Sequence, residues 1–383
     1  MKNCRRAPLP LTFVTGALLV ACGGAPSDSA ELSEDTASVT VRDRFAAWFA
    51  DYNEGQGTAY LDTPYRVRRR GDSRYPDAPA HAHHRSMQYG PFPRNVLDVW
   101  SLNSDAPTPL AIFIHGGGFN DNDKESIHRS RTNILRLLEA GVSVASISYR
   151  IAYRDPDAAL EAPIPNDIGE VHDENGTRVD YILRDCARAV QFLRHRADLL
   201  NIDPSRIGAW GPSAGAGCTV WVGTVPNLAV SGHSDPVLRQ STRIAVMGHE
   251  NGQPTYDWGR WPELLDMSED FVFDTIGREP VRLLQMEMDD FRFTRAGRDL
   301  AYILDYYRHL GRNDPPLFTV NGGRDVDEPN ASASQIIHHP RAHVALYDKC
   351  VASGGTCEID TVIESTDYPG TTVHFLAEQL LAP

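Results

Sequence analysis

The stretch RIGAWGPSAGAG, residues 206–217, decides how this chain is read. Arg206 to Gly211 has the length and apolar content of a short buried strand. From Ala214 onward the small residues AGAGCTVWVGT read as a helix that packs closely on its neighbours. Between them lies Gly211-Pro212-Ser213-Ala214-Gly215, a G-x-S-x-G pentapeptide. Where a strand turns sharply into a helix, small residues let the backbone cross without clash, and the central side chain is lifted out. A serine hydroxyl presented in this way needs a base to take its proton and donors to hold the charge its attack creates. The pentapeptide alone is a weak signal, because at ordinary glycine usage a chain of this size meets it by chance roughly one time in ten. Its neighbours must supply the rest.

Working outward, strands and helices alternate from about residue 86. NVLDVWSL (95–102) alternates like an edge-type strand, LAIFIHGGG (110–118) is a buried strand running into glycines, and SIHRSRTNILRLLEA (126–140) is helical up to Gly141. VSVASISYR (142–150) is a strand, and DYILRDCARAVQFLRHRADLL (180–200) is a long amphipathic helix. RIAVMGH (243–249), PLFTVNG (316–322) and IDTVIES (359–365) complete the strands, and FLAEQLLA (375–382) is a final helix. This order predicts an α/β fold with a mainly parallel central sheet flanked by helices, in one domain over 41–383. Near its start Phe45, Trp48, Phe49 and Tyr52 recur at helical spacing, read as a first helix packed on the rest. Insertions interrupt the alternation at 154–180, rich in Pro, Asp and Glu, and at 250–313, whose Trp258, Trp261, Phe271, Phe273, Phe291 and Phe293 read equally as packing under a loop or as a cap over the site.

The second chemical signal is His115-Gly116-Gly117-Gly118-Phe119 at the end of the buried strand. Consecutive glycines allow N–H groups to converge on an oxyanion without side chains in the way. The expected donors are Gly117, Gly118 and the N–H of Ala214. Lys124 and Glu250 follow strand ends facing the same rim and read equally as loop polars or site-lining groups.

HGGG, the Tyr149-Arg150 pair after the next strand, and IDPSRIGAWGPSAG (202–215) together resemble the α/β-hydrolase superfamily. Within it the likeness is to HGGG-type carboxylesterases, the group that includes hormone-sensitive-lipase-like and bacterial feruloyl-esterase-like proteins, over roughly residues 86–381. MQYGPFPRNVLDVWSL (87–102) matches their opening strands, and Ala216 replaces the usual last glycine of G-x-S-A-G-G, small for small. The resemblance implies a serine hydrolase acting on a small-molecule carboxylic ester through an acyl-enzyme on Ser213, with no cofactor. The superfamily order is Ser, acid, His. Asp325 in VNGGRDVDEPN matches the acid, three residues after Gly322 and four before Pro329, with Asp327 and Glu328 as rivals. His374 in YPGTTVHFLAEQLL matches the base, on the loop before the final helix. His338, His339 and His343 fall in HHPRAHVALYDK, read as a helix ahead of the last strand and so on the wrong side of it. Kynurenine-formamidase-like proteins share HGGG and the elbow, so amide hydrolysis is the alternative, and turnover of an aryl formamide but no ester would favour it. A binding protein that keeps the fold is a third reading, favoured if a serine-directed probe leaves the folded chain unlabelled.

The N-terminus carries a different message. A basic start with Lys2, Arg5 and Arg6, an apolar run from Leu9 to Val20, and the ending Leu19-Val20-Ala21-Cys22 predict a secretory signal over 1–21, with Cys22 resembling the acylated residue of a bacterial lipobox. Residues 22–40 read as a disordered tether. The expectation is export and anchoring at a membrane surface, facing the periplasm or cell exterior. The formal net charge is −14; removing three basic residues and no acid with the signal leaves −17. Such a surface repels nucleic acid. Arg66-Val67-Arg68-Arg69-Arg70 is a local basic exception, read as a solvated strand or hairpin face. In an exported chain Cys350 and Cys357 can bridge across their six-residue loop. No cysteine pair has zinc spacing. His81, His83 and His84 fall in a Pro/Ala-rich stretch read as a loop, and no metal is expected there.

Overall fold

The computed structural model describes Phe45, Trp48, Phe49, residues 57–152 and residues 176–382. The signal, Cys22, the tether, Tyr52 and most of the 154–180 insertion lie outside the described residues. No described helix is long and apolar enough to cross a membrane.

Among the described residues nine strands form one sheet: β1 (Arg66–Arg68), β2 (His81–Gln88), β3 (Val96–Leu102), β4 (Thr108–Ile114), β5 (Ser143–Ile147), β6 (Ile202–Pro212), β7 (Met247–Glu250), β8 (Leu317–Asn321) and β9 (Cys357–Thr361). Their spatial order is β1-β2-β3-β5-β4-β6-β7-β8-β9. The first three strands join antiparallel, and from β5 to β9 every pairing is parallel. The period of two along β4 explains the layers: Leu110, Ile112 and Ile114 enter one core, while Ala111 and Phe113 enter the other. The first core includes the helices Val179–His195 and Ala214–Thr224. The second includes Arg131–Glu139 and Thr372–Leu381.

Two expectations about the early strands change. β3 is buried along its whole length and is not an edge, because β1 and β2 extend the sheet beyond it. The histidine-rich stretch is strand β2 and not a loop. His83 stacks on Trp100 with centroids 4.8 Å apart and lies 3.4 Å from both Asp72 and Asp98. His81 faces the Pro79 carbonyl and His84 faces Ser101. The basic run begins as the exposed edge strand β1.

Phe45 and Phe49 are helical and buried in the first core, and Trp48 packs edge-on to Trp221 of the Ala214–Thr224 helix, 5.8 Å between centroids. Cys350 and Cys357 form a disulfide that ties the end of the helix Pro340–Ala352 to β9. Cys186 and Cys218 are free and buried.

Candidate active site

β6 ends at Pro212 and the helix Ala214–Thr224 begins one residue after Ser213. Ser213 itself has φ 53° and ψ −120°, a conformation that costs energy for any residue with a Cβ. Its neighbours hold it there. The Ser213 N–H donates to the Glu250 carbonyl at 2.8 Å, and the Ser213 carbonyl accepts from Ala216 N at 2.9 Å. Both glycines of the pentapeptide are required by contact: a Cβ on Gly211 or on Gly215 would lie 2.0 Å from the Ile114 carbonyl oxygen. The end of β4 therefore presses directly on the turn that presents the serine.

The same strand end opens into the glycine loop. Gly117, Gly118 and Phe119 have φ of 105°, 57° and 63°. Gly117 turns the loop, and its carbonyl accepts from Asn120 and Asp121. Arg94 ties the loop to the end of β5 by donating to the carbonyls of Tyr149 (2.8 Å) and Asn122 (2.6 Å). His115 is fully buried, stacked on Tyr149 at 4.0 Å, and burial pushes its pKa down to about 3. Gly118 and Ala214 line one cavity with Ser213; Gly117 shapes the loop and is not part of that lining. Among the described residues no group accepts from the N–H of Gly118 or of Ala214.

The histidine facing Ser213 is His338. Its Nε2 lies 2.9 Å from Ser213 Oγ, and its Nδ1 lies 3.0 Å from the Ser334 carbonyl oxygen. A carbonyl can only accept, so Nδ1 carries the proton and Nε2 turns its lone pair to the hydroxyl. Burial lowers the pKa of His338, against the opposing pull of the Ser334 carbonyl, so the ring is neutral at pH 7. The sequence places this histidine firmly. The short helix Ala333–Ile337 starts with a capping box between Ser332 and Gln335 and ends at His338. Pro340 then opens the next helix with His339 as its N-cap, so the chain breaks at the histidine pair. Asn321, the last residue of β8, donates to the His338 carbonyl at 3.1 Å and fixes the break against the sheet.

His374 is therefore corrected: it does not meet Ser213. On the helix Thr372–Leu381 the residues Val373, Leu376 and Leu380 face the core, which turns His374 and Glu378 outward. There His374 Nε2 lies 3.5 Å from Glu378 and Nδ1 lies 3.3 Å from the Tyr368 hydroxyl. Asp325 is not brought to His338 either. It pairs with Arg341 Nε at 2.9 Å and approaches His339 at 3.7 Å. Its rivals are similarly engaged, Asp327 by Arg341 and Glu328 by the Ser268 N–H and hydroxyl. His343 is buried beside His249 and Thr319. Lys124 is buried on Asp98 and Glu125, away from the cavity, and Glu250 contributes its backbone carbonyl.

The cavity at Ser213 measures about 140 Å³. Besides the residues already named, Trp258, Trp261, Glu279 and Leu283 of the 250–313 insertion line it. It is well below the roughly 300–1,000 Å³ of pockets for drug-sized molecules.

The BD-FAE family model matches residues 84–171 and 177–338. Esterase LipC of Mycobacterium tuberculosis is 26% identical over 278 residues, which cover 68% of this chain and 56% of LipC. The Arabidopsis thaliana protein named "Probable isoprenylcysteine alpha-carbonyl methylesterase ICMEL1" is 24% identical, with 72% of this chain and 54% of that protein covered. The matched region thus spans about half the length of these relatives. A solved structure titled "Truncated form of carbohydrate esterase from gut microbiota" superposes with a TM-score of 0.57 at 17% identity, covering 80% of this chain and 100% of that one. It shares the α/β-hydrolase fold. The family match takes in both the glycine loop and the elbow and covers more than half of the sequence; the protein belongs to the BD-FAE family.

Proposed function

We propose that the protein hydrolyses carboxylic esters through an acyl-enzyme on Ser213. The observation that carries this reading is the Ser213 Oγ to His338 Nε2 contact of 2.9 Å, with Nδ1 held on a carbonyl. Ser213 Oγ attacks the acyl carbon as its proton passes to Nε2. The carbonyl oxygen of the substrate becomes an oxyanion facing the N–H groups of Gly118 and Ala214. As the intermediate collapses, the ester C–O bond breaks and Nε2–H protonates the departing alkoxide. A water then gives its proton to Nε2 and attacks the acyl carbon, and collapse returns the proton to Ser213. The imidazolium formed on the way is held at Nδ1 by the Ser334 carbonyl dipole, where a serine hydrolase triad places a carboxylate. The names of LipC, of ICMEL1 and of the carbohydrate esterase support ester hydrolysis as the reaction class. The lipobox-like Leu19-Val20-Ala21-Cys22 supports export and anchoring through Cys22 as part of the same proposal.

Hydrolysis of p-nitrophenyl acetate, butyrate and decanoate by the purified protein, beside Ser213→Ala, tests the reading. The small cavity predicts turnover of acetate and butyrate well above decanoate, abolished in the variant. Undiminished turnover by Ser213→Ala would sink the mechanism.

The dyad makes a separate prediction about pH. A base that must be unprotonated, with its pKa lowered by burial, keeps its activity to lower pH. The acid limb of kcat/KM is expected at a midpoint below the ordinary imidazole value of about 6.5. Asp325→Asn removes a partner of Arg341 and none of His338, so it should change kcat/KM less than about threefold and leave that limb in place. A loss on the order of 10⁴-fold, as when a triad carboxylate is removed, would show that Asp325 orients the base after all.

A further inference from the structure

The glycine loop after β4 makes a tight turn that depends on restraints from outside it. The N–H of Asn120 donates to the Gly117 carbonyl at 2.9 Å, so Gly118 and Phe119 are the two central residues of the turn. Both have positive φ, 57° and 63°, the pattern of a type I′ turn. Glycine takes that conformation freely, but Phe119 carries a Cβ and takes it at a cost. Phe119 supplies some of the restraint. Its ring is buried edge-on to Tyr149 and Tyr256, and its carbonyl accepts from Ala152 N at 2.7 Å.

The far end of the turn is held by Arg282, on the short helix Glu279–Leu284 of the insertion. Arg282 Nη1 donates to Asn120 Oδ1, and its Nη2 donates to Glu279 Oε1 at 2.6 Å. A guanidinium can only donate, so it takes the oxygen end of the Asn120 amide, and two bonds from one planar fork fix its direction. A Cβ on Gly118 would lie 3.6 Å from Asn120 Nδ2 and 4.0 Å from Glu279 Oε1. Asn120, Arg282 and Glu279 thus form a latch over the residue whose N–H receives the oxyanion in the proposed mechanism.

We propose that Arg282 is a positioning residue: by holding Asn120 it sets the Gly117–Asn120 turn and with it the direction of the Gly118 N–H. The proposal rests on the ester-hydrolase reading of this site. Arg282 is not among the residues that line the cavity, so it acts through the turn and not on the substrate. A donor to an oxyanion is effective only where the charge develops, and a misplacement of about 1 Å costs on the order of 100-fold. Such a loss falls on kcat, because the ground-state ester does not yet need the donor.

The test measures kcat and KM for p-nitrophenyl butyrate, and Ki for a short alkyl trifluoromethyl ketone, on wild type, Arg282→Met, Asn120→Leu and Asn120→Asp. A serine oxygen adds to such a ketone and leaves an oxyanion in the donors' place, so Ki reads the donors with no leaving group involved. Arg282→Met and Asn120→Leu are expected to lower kcat about tenfold or more, raise Ki by a similar factor and leave KM within about threefold. Asn120→Asp keeps an acceptor for Arg282 and should stay within about threefold of wild type in all three constants. A loss carried by KM alone, an unchanged kcat in both Arg282→Met and Asn120→Leu, or an Asn120→Asp as slow as Asn120→Leu overturns the proposal. If Arg282→Met fails to fold, the two Asn120 variants still decide. Wild-type turnover that Ser213→Ala abolishes but these variants leave unchanged sinks this inference alone; if wild type cleaves no ester, the ester-hydrolase reading fails and takes this inference with it.

Discussion

His338→Ala is expected to lower kcat/KM for a short ester by about 10⁴-fold or more, the usual scale for losing the general base beside a nucleophilic serine. That corresponds to roughly 5.5 kcal/mol of transition-state stabilisation. The same measurement on His374→Ala should give a change of less than about threefold, because His374 sits on the outer face of its helix against Glu378 and Tyr368. The contrast is informative because both histidines lie downstream of the serine, and chain order alone favours the later one. Far-UV circular dichroism on both variants shows that the comparison is between folded proteins. A large loss in His374→Ala with little in His338→Ala would reverse the assignment.

The second large effect is structural. Gly215→Ala puts a Cβ 2.0 Å from the Ile114 carbonyl oxygen and 2.8 Å from that of His115. Neither is the far end of a flexible side chain, so the helix start or the end of β4 must move. Overpacking of this kind costs on the order of 3 kcal/mol, and movement of β4 also displaces the glycine loop that follows it. We expect a fall in Tm of at least several degrees together with a rate loss on the order of 10²-fold, the scale of one lost oxyanion donor. Thermal melting and kcat/KM on the same preparation check both halves. A variant with wild-type Tm and rate would show that the elbow is looser than the packing implies. Ala214 and Ala216 are a useful contrast: small residues suit the turn there, but at 211 and 215 a side chain is forbidden by backbone on the other strand.

The parts of the site that could be read in the sequence are the parts made of backbone. The elbow and HGGG depend on local conformation, and glycine is the residue that local conformation selects. The strands from β3 onward were legible in the sequence, but the burial of β3 was not, since it comes from two preceding strands, β1 and the histidine-rich β2, that carry weak β signals. The histidine that meets Ser213 was misplaced for a reason of a different kind. His338 reaches Ser213 across 125 positions of sequence, and only the folded sheet decides which of several downstream histidines arrives. Two local signals did point away from His374. Val373, Leu376 and Leu380 at helical spacing commit the inner face of that helix, and Pro340 breaks HHPRAHVALYDK behind the histidine pair and places His338 at a junction. Asp325 illustrates the limit further. Its spacing to Gly322 and Pro329 fits the pattern of an acid, yet Arg341, sixteen residues on, pairs with it.

The two walls of the cavity differ in how freely they can change. One wall is backbone: the end of β4, the glycine loop and the elbow touch through carbonyls and bare Cα atoms, and a substitution at one displaces the others. The facing wall is made of side chains from the insertion, Trp258, Trp261 and Leu283 among them. Directed evolution for new acyl groups should therefore gather its successful changes at 253–283 and few at 114–118 or 211–215. On the proposed mechanism, the groups that would carry the reaction and those that would shape the acyl seat lie on largely separate stretches of chain, so a change in one need not disturb the other.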